Sequence, residues 1–317
     1  MRRLGVGRSK LLCRGSLTVL VFSLLVAGAR LGQAEKVCPP VVQAPSQAEM
    51  AELLKQARDR GALWRLEKDG RLSYLYATVH VGKKEWAMPG PTTVRALREA
   101  DVIAVELDVS DPAVRRGLLA KAEDEPPISS DLLERLRNQA DKACLPWTNL
   151  EQIPLAMTAV TLGILAARWD GLDPQYGTEW MLIGFAQATK KPVRSLETVE
   201  SQRRAIMGQS PEEQRIVIQN EIRGLEQNRQ RQGVGKIATA WVEGNLAQLE
   251  GHTEGADAER LMSDRNQALA ARVADLHDGG KRVFAAIGIL HMVGEHALPT
   301  LLARHGFKVE RVTFAAP

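Results

Sequence analysis

The chain alternates between short apolar runs and longer segments in which apolar residues recur at helical spacing. The runs at 102–107 (VIAVEL) and 283–289 (VFAAIGI) are almost wholly apolar, which is typical of strands buried on both faces of a sheet. Two further runs flank the turn sequence Lys68-Asp69-Gly70, which predicts a β-hairpin. Strands are therefore predicted over 63–67, 72–79, 102–107, 192–196, 283–289 and 307–314.

Helix-capping residues stand at the starts of two of the intervening segments. Ser46 and Glu49 form a capping box, and the helix that they begin is predicted to run to Gly61. Ser210-Pro211-Glu212-Glu213 supplies a cap, a proline at the first helical position and a glutamate in the first turn. Helices are predicted over 46–61, 94–100, 131–141, 153–169, 177–190, from 211 onward, and over 235–250, 257–277 and 295–305.

This order of elements predicts the fold class. Buried strands that alternate with helices favour an α/β fold with a central, largely parallel sheet and flanking helices. The helices between 211 and 277 are expected to form an insertion beside that sheet. Residues 46–317 are assigned to this single domain, and a Pro-rich lead-in at 35–45 precedes it.

The first 34 residues have the pattern of a secretory signal peptide. Basic residues are followed by the apolar run Leu17 to Ala29, which is shorter than the about 20 residues that span a bilayer. Cleavage is predicted after Ala34, with Ala27-Gly28-Ala29 as the alternative site. The protein is then exported to the periplasm or cell envelope, with no other membrane contact. An uncleaved membrane anchor is the competing interpretation.

Removal of this segment changes the charge of the working protein. The whole chain has a formal charge of +4. Residues 1–34 carry six basic and no acidic residues, so the mature chain has 4 − 6 = −2. A nucleic-acid partner would require a basic stripe with stacking aromatics, and the chain has neither. The expected partner is a peptide or a small-molecule substrate.

Two cysteines remain after cleavage, Cys38 and Cys144. In an oxidising compartment an even pair suggests a disulfide. Two unpaired thiols are the alternative. Cys38 lies in the Pro-rich lead-in at 35–45, which has little else to anchor it, and this favours the bond.

Three residues with metal-binding side chains follow apolar strands. His80 and His291 stand at matching places in Tyr74–Gly82 (YLYATVHVG) and Ala286–Gly294 (AIGILHMVG), and Glu106 ends the run VIAVE. Open α/β sheets bind ligands at the carboxyl ends of their strands. Two imidazoles and a carboxylate suit Zn²⁺, Mn²⁺ or Co²⁺ and leave a position for water. Hydrogen-bonded structural histidines and a buried ion pair at Glu106 are the alternatives.

Four segments together resemble the TraB/GumN family, to which the Tiki proteases of animals are related. They are 63–82 (LWRLEKDGRLSYLYATVHVG), VELD at 105–108, SLET at 195–198 and the C-terminal run 282–312. The resemblance covers nearly all of the mature chain, in order. It implies a fold similar to Tiki, to the erythromycin esterases and to a haem-binding lipoprotein group.

The family's hallmark is two Gly-x-x-His motifs and a glutamate, which are implied to bind a divalent metal. The second motif is intact as Gly288-Ile289-Leu290-His291, whereas the first is Ala77-Thr78-Val79-His80, with alanine for glycine. The resemblance thus implies His80, Glu106 and His291 as metal ligands in a metal-dependent hydrolase, a peptidase by analogy with Tiki. A non-catalytic protein that binds haem, a metal or a peptide is the competing function.

Two further residues are candidates for catalytic roles. Glu197, in SLET, follows a strand and is a candidate general base; a carboxylate that only favours a helix N-terminus is the alternative. Arg265 stands with Asn266 in a segment that resembles the family's Glu-Arg-Asn motif. It is a candidate clamp on a substrate carbonyl or carboxylate, with a surface ion pair as the alternative.

Overall fold

The computed structural model describes residues 36–121, 125–250 and 256–315, and from Cys38 onward these form one compact unit. The predicted signal peptide, at 1–34, lies outside the described residues. None of the helices in the described part is long and apolar enough to cross a membrane.

A six-stranded mixed sheet forms the centre of the domain. Its strand order is β4-β3-β5-β2-β1-β6, with parallel pairing among β4, β3, β5 and β2. β1 pairs antiparallel with both of its neighbours. The other five strands therefore all run in the same direction, opposite to β1. The predicted α/β class with a largely parallel sheet is confirmed. The strands are β1 (Leu63–Lys68), β2 (Arg71–Thr78), β3 (Val102–Val105), β4 (Val193–Ser195), β5 (Val283–Gly288) and β6 (Lys308–Arg311).

Local chemistry explains these strands. Asp69 and Gly70 form the turn between β1 and β2 and have positive φ values, 52° and 71°. The tightest two-residue hairpin turns require positive φ at both positions. β3 is buried at every position, in agreement with its apolar sequence and its place between two parallel neighbours. The edge strands β4 and β6 are half-buried or exposed.

Helices cover the sheet and build a second apolar cluster beside it. Apolar side chains from α2, α6, α9, α10 and α11 join the core of the sheet. Those from α4, α5, α7 and α8 form the second cluster, so the helices of the predicted insertion divide between the two cores. The helices are α1 (Gln47–Lys55), α2 (Pro91–Glu99), α3 (Pro112–Leu119), α4 (Ser130–Lys142), α5 (Leu155–Leu165), α6 (Thr178–Thr189), α7 (Val199–Met207), α8 (Pro211–Glu226), α9 (Arg229–Glu243), α10 (Ala256–Asp278) and α11 (Leu298–Arg304).

Helix α1 differs from its prediction. The Ser46–Glu49 capping box is present, but the helix ends at Lys55 and not at Gly61. Asp59 instead accepts hydrogen bonds from the backbone N–H groups of Thr92 and Thr93, 2.9 and 2.8 Å long, at the start of α2. This tertiary contact holds Asp59 at the start of α2, outside α1. Helices α3 and α7 were absent from the sequence prediction.

The predicted disulfide between Cys38 and Cys144 is confirmed, with Cα atoms 5.7 Å apart. It joins the lead-in to the residues just after α4. The Tyr176 hydroxyl also donates to the Gln43 carbonyl, at 3.1 Å. The lead-in is therefore anchored at two places.

Replacing both Cys38 and Cys144 by alanine is expected to lower the free energy of unfolding by up to about 4–5 kcal/mol, because the crosslink restricts a long loop of the unfolded chain. Urea unfolding of the mature protein under non-reducing conditions measures this difference. The wild-type protein in reductant serves as the control and should unfold like the double variant. Equal stability of the variant and the oxidised wild type would contradict the expectation.

His277 joins the C-terminus of α10 to the β-hairpin. It is fully buried, with Nε2 3.0 Å from the Lys68 carbonyl and Nδ1 2.8 Å from the Ser73 hydroxyl. A carbonyl only accepts, so Nε2 carries the proton and Nδ1 accepts from Ser73. The Ser73 oxygen in turn accepts the Val283 N–H at 2.9 Å. These bonds fix His277 as the Nε2–H tautomer.

His277→Ala is expected to lower the free energy of unfolding by about 2–4 kcal/mol, because buried polar partners lose their bonds and a cavity remains. His305→Ala, at an exposed position, is the matched control and should change stability by less than about 0.5 kcal/mol. Denaturant unfolding of both variants tests the pair. Similar losses in the two variants would show that the His277 bonds do not stabilise the fold.

Candidate functional site

Four of the residues singled out from the sequence stand at one edge of the sheet. Glu197 follows β4, Glu106 follows β3, His291 follows β5 and His80 follows β2. These strands are consecutive neighbours and run parallel, so their carboxyl ends share one edge. The predicted gathering at the carboxyl ends of the strands is therefore present, in the place where open α/β sheets bind ligands.

Glu106 is a buried carboxylate that three elements hold. Its Oε1 accepts from the Gly288 N–H at 2.6 Å, and its Oε2 accepts from Gln202 Nε2 at 2.9 Å and from Arg265 Nη2 at 3.3 Å. Burial alone would raise its pKa, but His291, His80, Arg265 and the Gly288 amide together lower the pKa to about 2. Glu106 is therefore ionised at neutral pH.

Arg265 links this carboxylate to a second one. Its Nε and Nη2 each donate to one oxygen of Glu197, both at 2.9 Å. The side chains of Arg265 and Glu197 are only 14% and 3% exposed. Burial would lower the pKa of Arg265, but its bonds with Glu197 and Glu106 outweigh this effect and raise it. The pair is a buried bidentate bridge rather than a surface ion pair.

His291 is buried and bonded to the neighbour of Arg265 on α10. Its Nδ1 lies in hydrogen-bond contact with Asn266 Oδ1. The Asn266 amide nitrogen donates to the carbonyls of His291 and His296, at 3.3 and 2.8 Å. Burial lowers the pKa of His291 to about 4, so its imidazole is neutral at neutral pH.

His80 occupies a more open position. Its Nδ1 lies 3.0 Å from Glu179 Oε1 at the start of α6, and its side chain is 64% exposed. The negative charge of Glu179 raises the pKa of His80 to about 9, and the surrounding protein opposes part of this shift. With 64% of its side chain exposed, His80 can be reached by a solute.

The two Gly-x-x-His motifs differ in how closely their first residue approaches the site. A Cβ on Gly288 would lie 3.0 Å from Glu106 Oε1 and 3.6 Å from His291 Cδ2. Ala77, at the matching place in the other motif, is buried in β2 opposite Ile287. It is not among the non-glycine residues with positive φ. The alanine is thus free of backbone strain.

The structure does not bring the predicted metal ligands into contact with one another. Among the described residues, no three His, Cys, Asp or Glu side chains lie close enough together to hold a metal ion. Their present bonds account for this: Glu106 is bonded to Arg265 and Gln202, and His80 is paired with Glu179. Coordination would require side-chain movements at the strand ends.

Two residues of the site escaped sequence reasoning. Gln202 lies on α7, a helix that the sequence prediction lacked, and it bonds Glu106. Glu179 lies in the first turn of α6, where an acidic residue is ordinary. No local signal in the sequence distinguishes either residue. Their roles depend on which elements the sheet order makes neighbours.

Comparison with known proteins agrees with this geometry. A family model for the TraB/PrgY/gumN family matches residues 62–311, which include every residue of the site. The chain belongs to this family. The predicted membership is confirmed.

Two relatives share the name "Uncharacterized protein YbaP". The chain is 28% identical over 236 residues to the one from Shigella flexneri, covering 73% of this chain and 88% of that protein. It is 28% identical over 233 residues to the one from Escherichia coli strain K12, covering 72% and 87%. No solved structure matches the chain, so the likeness to the Tiki and erythromycin-esterase folds stays a prediction.

Gly288→Ala and Ala77→Gly test the two motifs as a matched pair. The first is expected to displace Glu106 and to cost about 1–3 kcal/mol of stability, because the new Cβ meets a carboxylate oxygen. The second is expected to cost about 0.5–1 kcal/mol, through chain flexibility in a strand.

Crystal structures and urea unfolding of both variants provide the measurements. The bonds of Glu106 should change in Gly288→Ala and stay intact in Ala77→Gly. Unchanged Glu106 contacts in Gly288→Ala would show that the glycine is not required for this approach.

Proposed function

We propose that this TraB/PrgY/gumN family protein is an exported, metal-dependent hydrolase that cleaves peptides. The observation that carries the proposal is the grouping of His80, His291 and ionised Glu106 at the ends of three adjacent parallel strands. Glu106 and His291 both lie beside Gly288, since a Cβ there would be 3.0 Å from Glu106 Oε1 and 3.6 Å from His291 Cδ2.

The donor atoms fit a divalent ion of borderline softness. In the described part of the chain, neither His80 nor His291 uses Nε2 in a hydrogen bond, whereas each has an oxygen partner at Nδ1. Two imidazole nitrogens and one carboxylate are a ligand set that suits Zn²⁺, Mn²⁺ or Co²⁺. His80, His291 and Glu106 would hold the ion, and His80 would lose a proton on binding it, because Glu179 raises the pKa of His80 to about 9.

Such an ion, when bound, supplies Lewis acidity that polarises a carbonyl and lowers the pKa of water. Arg265 would orient the substrate. Its Nε and Nη2 are bonded to carboxylates, but its Nη1 has no hydrogen-bond partner among the described residues. A guanidinium with one free donor end can bind a substrate carbonyl or carboxylate.

Glu197 is the proposed general base. Both of its oxygens accept from Arg265, and its side chain is almost fully buried. A carboxylate oxygen has two lone pairs, so Glu197 Oε2, which accepts one hydrogen bond from Arg265, keeps one with which it can take up a proton.

Export to the periplasm or cell envelope is part of the proposal. The N-terminal pattern of basic residues and a short apolar run supports it. The Cys38–Cys144 bond also supports it, because disulfides persist in oxidising compartments.

One observation favours a non-catalytic alternative. Glu106 is already bonded to Arg265 and Gln202, and no metal-binding group of three side chains is formed among the described residues. A protein that binds haem or a peptide without turnover could keep this arrangement. The same purified sample distinguishes the two functions.

Metal binding is the first test, by titration calorimetry of the mature protein with Zn²⁺, Mn²⁺ and Co²⁺. We expect one ion per chain in the wild type, and loss of binding in His80→Ala, His291→Ala and Glu106→Gln. His305→Ala, an exposed histidine elsewhere, is the control and should bind normally. If one of these three variants still binds one ion per chain, the residue that it replaces is not a metal ligand.

Activity is the second test, with a mixture of peptides as substrate. Cleavage that a chelator abolishes and added metal restores supports the hydrolase. Metal binding without cleavage, or a Soret band after incubation with haem, would favour the binding protein instead.

A further inference from the structure

We propose that Asn266 is a positioning residue that fixes His291 as the Nδ1–H tautomer, so that Nε2 is the atom presented to the ion. The role of the ion rests on the proposed function. The tautomer itself does not, because it follows from hydrogen bonds within the chain.

The orientation of the Asn266 amide is determined by its two carbonyl partners. Its nitrogen lies 3.3 Å from the His291 carbonyl and 2.8 Å from the His296 carbonyl. Carbonyl oxygens accept hydrogen bonds and do not donate them, so both contacts require the NH₂ end of the amide. The opposite end, Oδ1, must then face the His291 ring.

An amide oxygen can only accept. His291 Nδ1, which contacts it, must therefore carry a proton. In a neutral imidazole the other nitrogen then has a free lone pair. Nε2 of His291 has no partner among the described residues, so this lone pair is left for an external ligand.

Both partners are too enclosed to rearrange easily. Asn266 and His291 are buried, at 1% and 4% exposure. Asn266 follows Arg265 on α10, and Arg265 is held by Glu106 and Glu197. These ion pairs thus hold α10 in a fixed position beside the loop that carries His291.

His80 also has an oxygen near its Nδ1, from Glu179 on α6. Glu179 Oε1 is buried and lies 3.0 Å from His80 Nδ1, in an ion-pair contact that lacks hydrogen-bond geometry. The start of α6 is packed tightly against the His80 loop, since a Cβ on Gly177 would lie 2.7 Å from the His80 carbonyl. Each imidazole is therefore approached at Nδ1 by an oxygen on a helix, an arrangement that orients metal-binding histidines.

The test uses ¹⁵N NMR of the imidazoles in the metal-free, mature protein at neutral pH. The wild type should show His291 protonated at Nδ1. His277 is an internal reference of the opposite kind, because its bond to the Lys68 carbonyl requires Nε2–H. Spectra of His291→Gln and His277→Gln assign the two signals. A wild-type His291 protonated at Nε2 would overturn the inference without any further variant.

Two substitutions separate positioning from simple structural support. Asn266→Ala removes the acceptor, and His291 should move to the Nε2–H form. Asn266→Asp keeps an acceptor oxygen but loses the amide donors, so it should lose stability and yet retain Nδ1–H. Gln267→Ala, at an exposed position on the same helix, should change neither property. Equal tautomer shifts in the alanine and aspartate variants would contradict the inference.

Metal affinity supplies a separate readout. Asn266→Ala should weaken binding roughly 10- to 100-fold, which is typical of losing the partner of a ligating histidine. Asn266→Asp should lose much less. If the wild type binds no ion but His291 has the expected tautomer, the proposed function fails and this inference stands. If the wild type binds an ion but its His291 is protonated at Nε2, this inference fails and the metal binding expected from the proposed function stands.

Discussion

The rest of the site depends on one constraint, the burial of a charged carboxylate at the end of strand β3. An ionised glutamate in the interior is costly unless donors surround it. Glu106 has three, which come from β5, α7 and α10. Each of these elements must stand in a definite place relative to β3 for its donor to reach. The carboxylate therefore specifies the arrangement of the strand ends as well as contributing charge to them.

Helix α10 carries this constraint to the other side chains. Arg265 forms ion pairs with both Glu106 and Glu197, and its neighbour Asn266 bonds the His291 ring. These two adjacent residues of α10 thus connect the two carboxylates of the site to His291. A shift of the helix along its axis would disturb both at once. The apolar residues of the same helix pack into the core of the sheet, which resists such a shift.

The positions of the candidate site residues were predictable, but their partners were not. Apolar runs and the residues that end them are local features, so the sequence alone located His80, Glu106, Glu197 and His291 at strand ends. Gln202 and Glu179 reach the site only because the sheet order brings α7 and α6 next to it. Local pattern also failed at α1, where a contact between Asp59 and α2 overrides helix propensity. Such outcomes depend on contacts between residues far apart in the chain.

The alanine in the first Gly-x-x-His motif can be understood from the same geometry. At Gly288 the backbone N–H donates to Glu106 and the missing side chain leaves room for that carboxylate. Ala77 instead bonds the Ala62 carbonyl through its N–H and accepts from Trp241 through its own carbonyl. Its backbone therefore supports the fold rather than the buried charge. A departure from glycine is tolerable at the motif whose first residue bonds Ala62 and Trp241 rather than Glu106, which explains why His80 can keep its place while position 77 carries a methyl group.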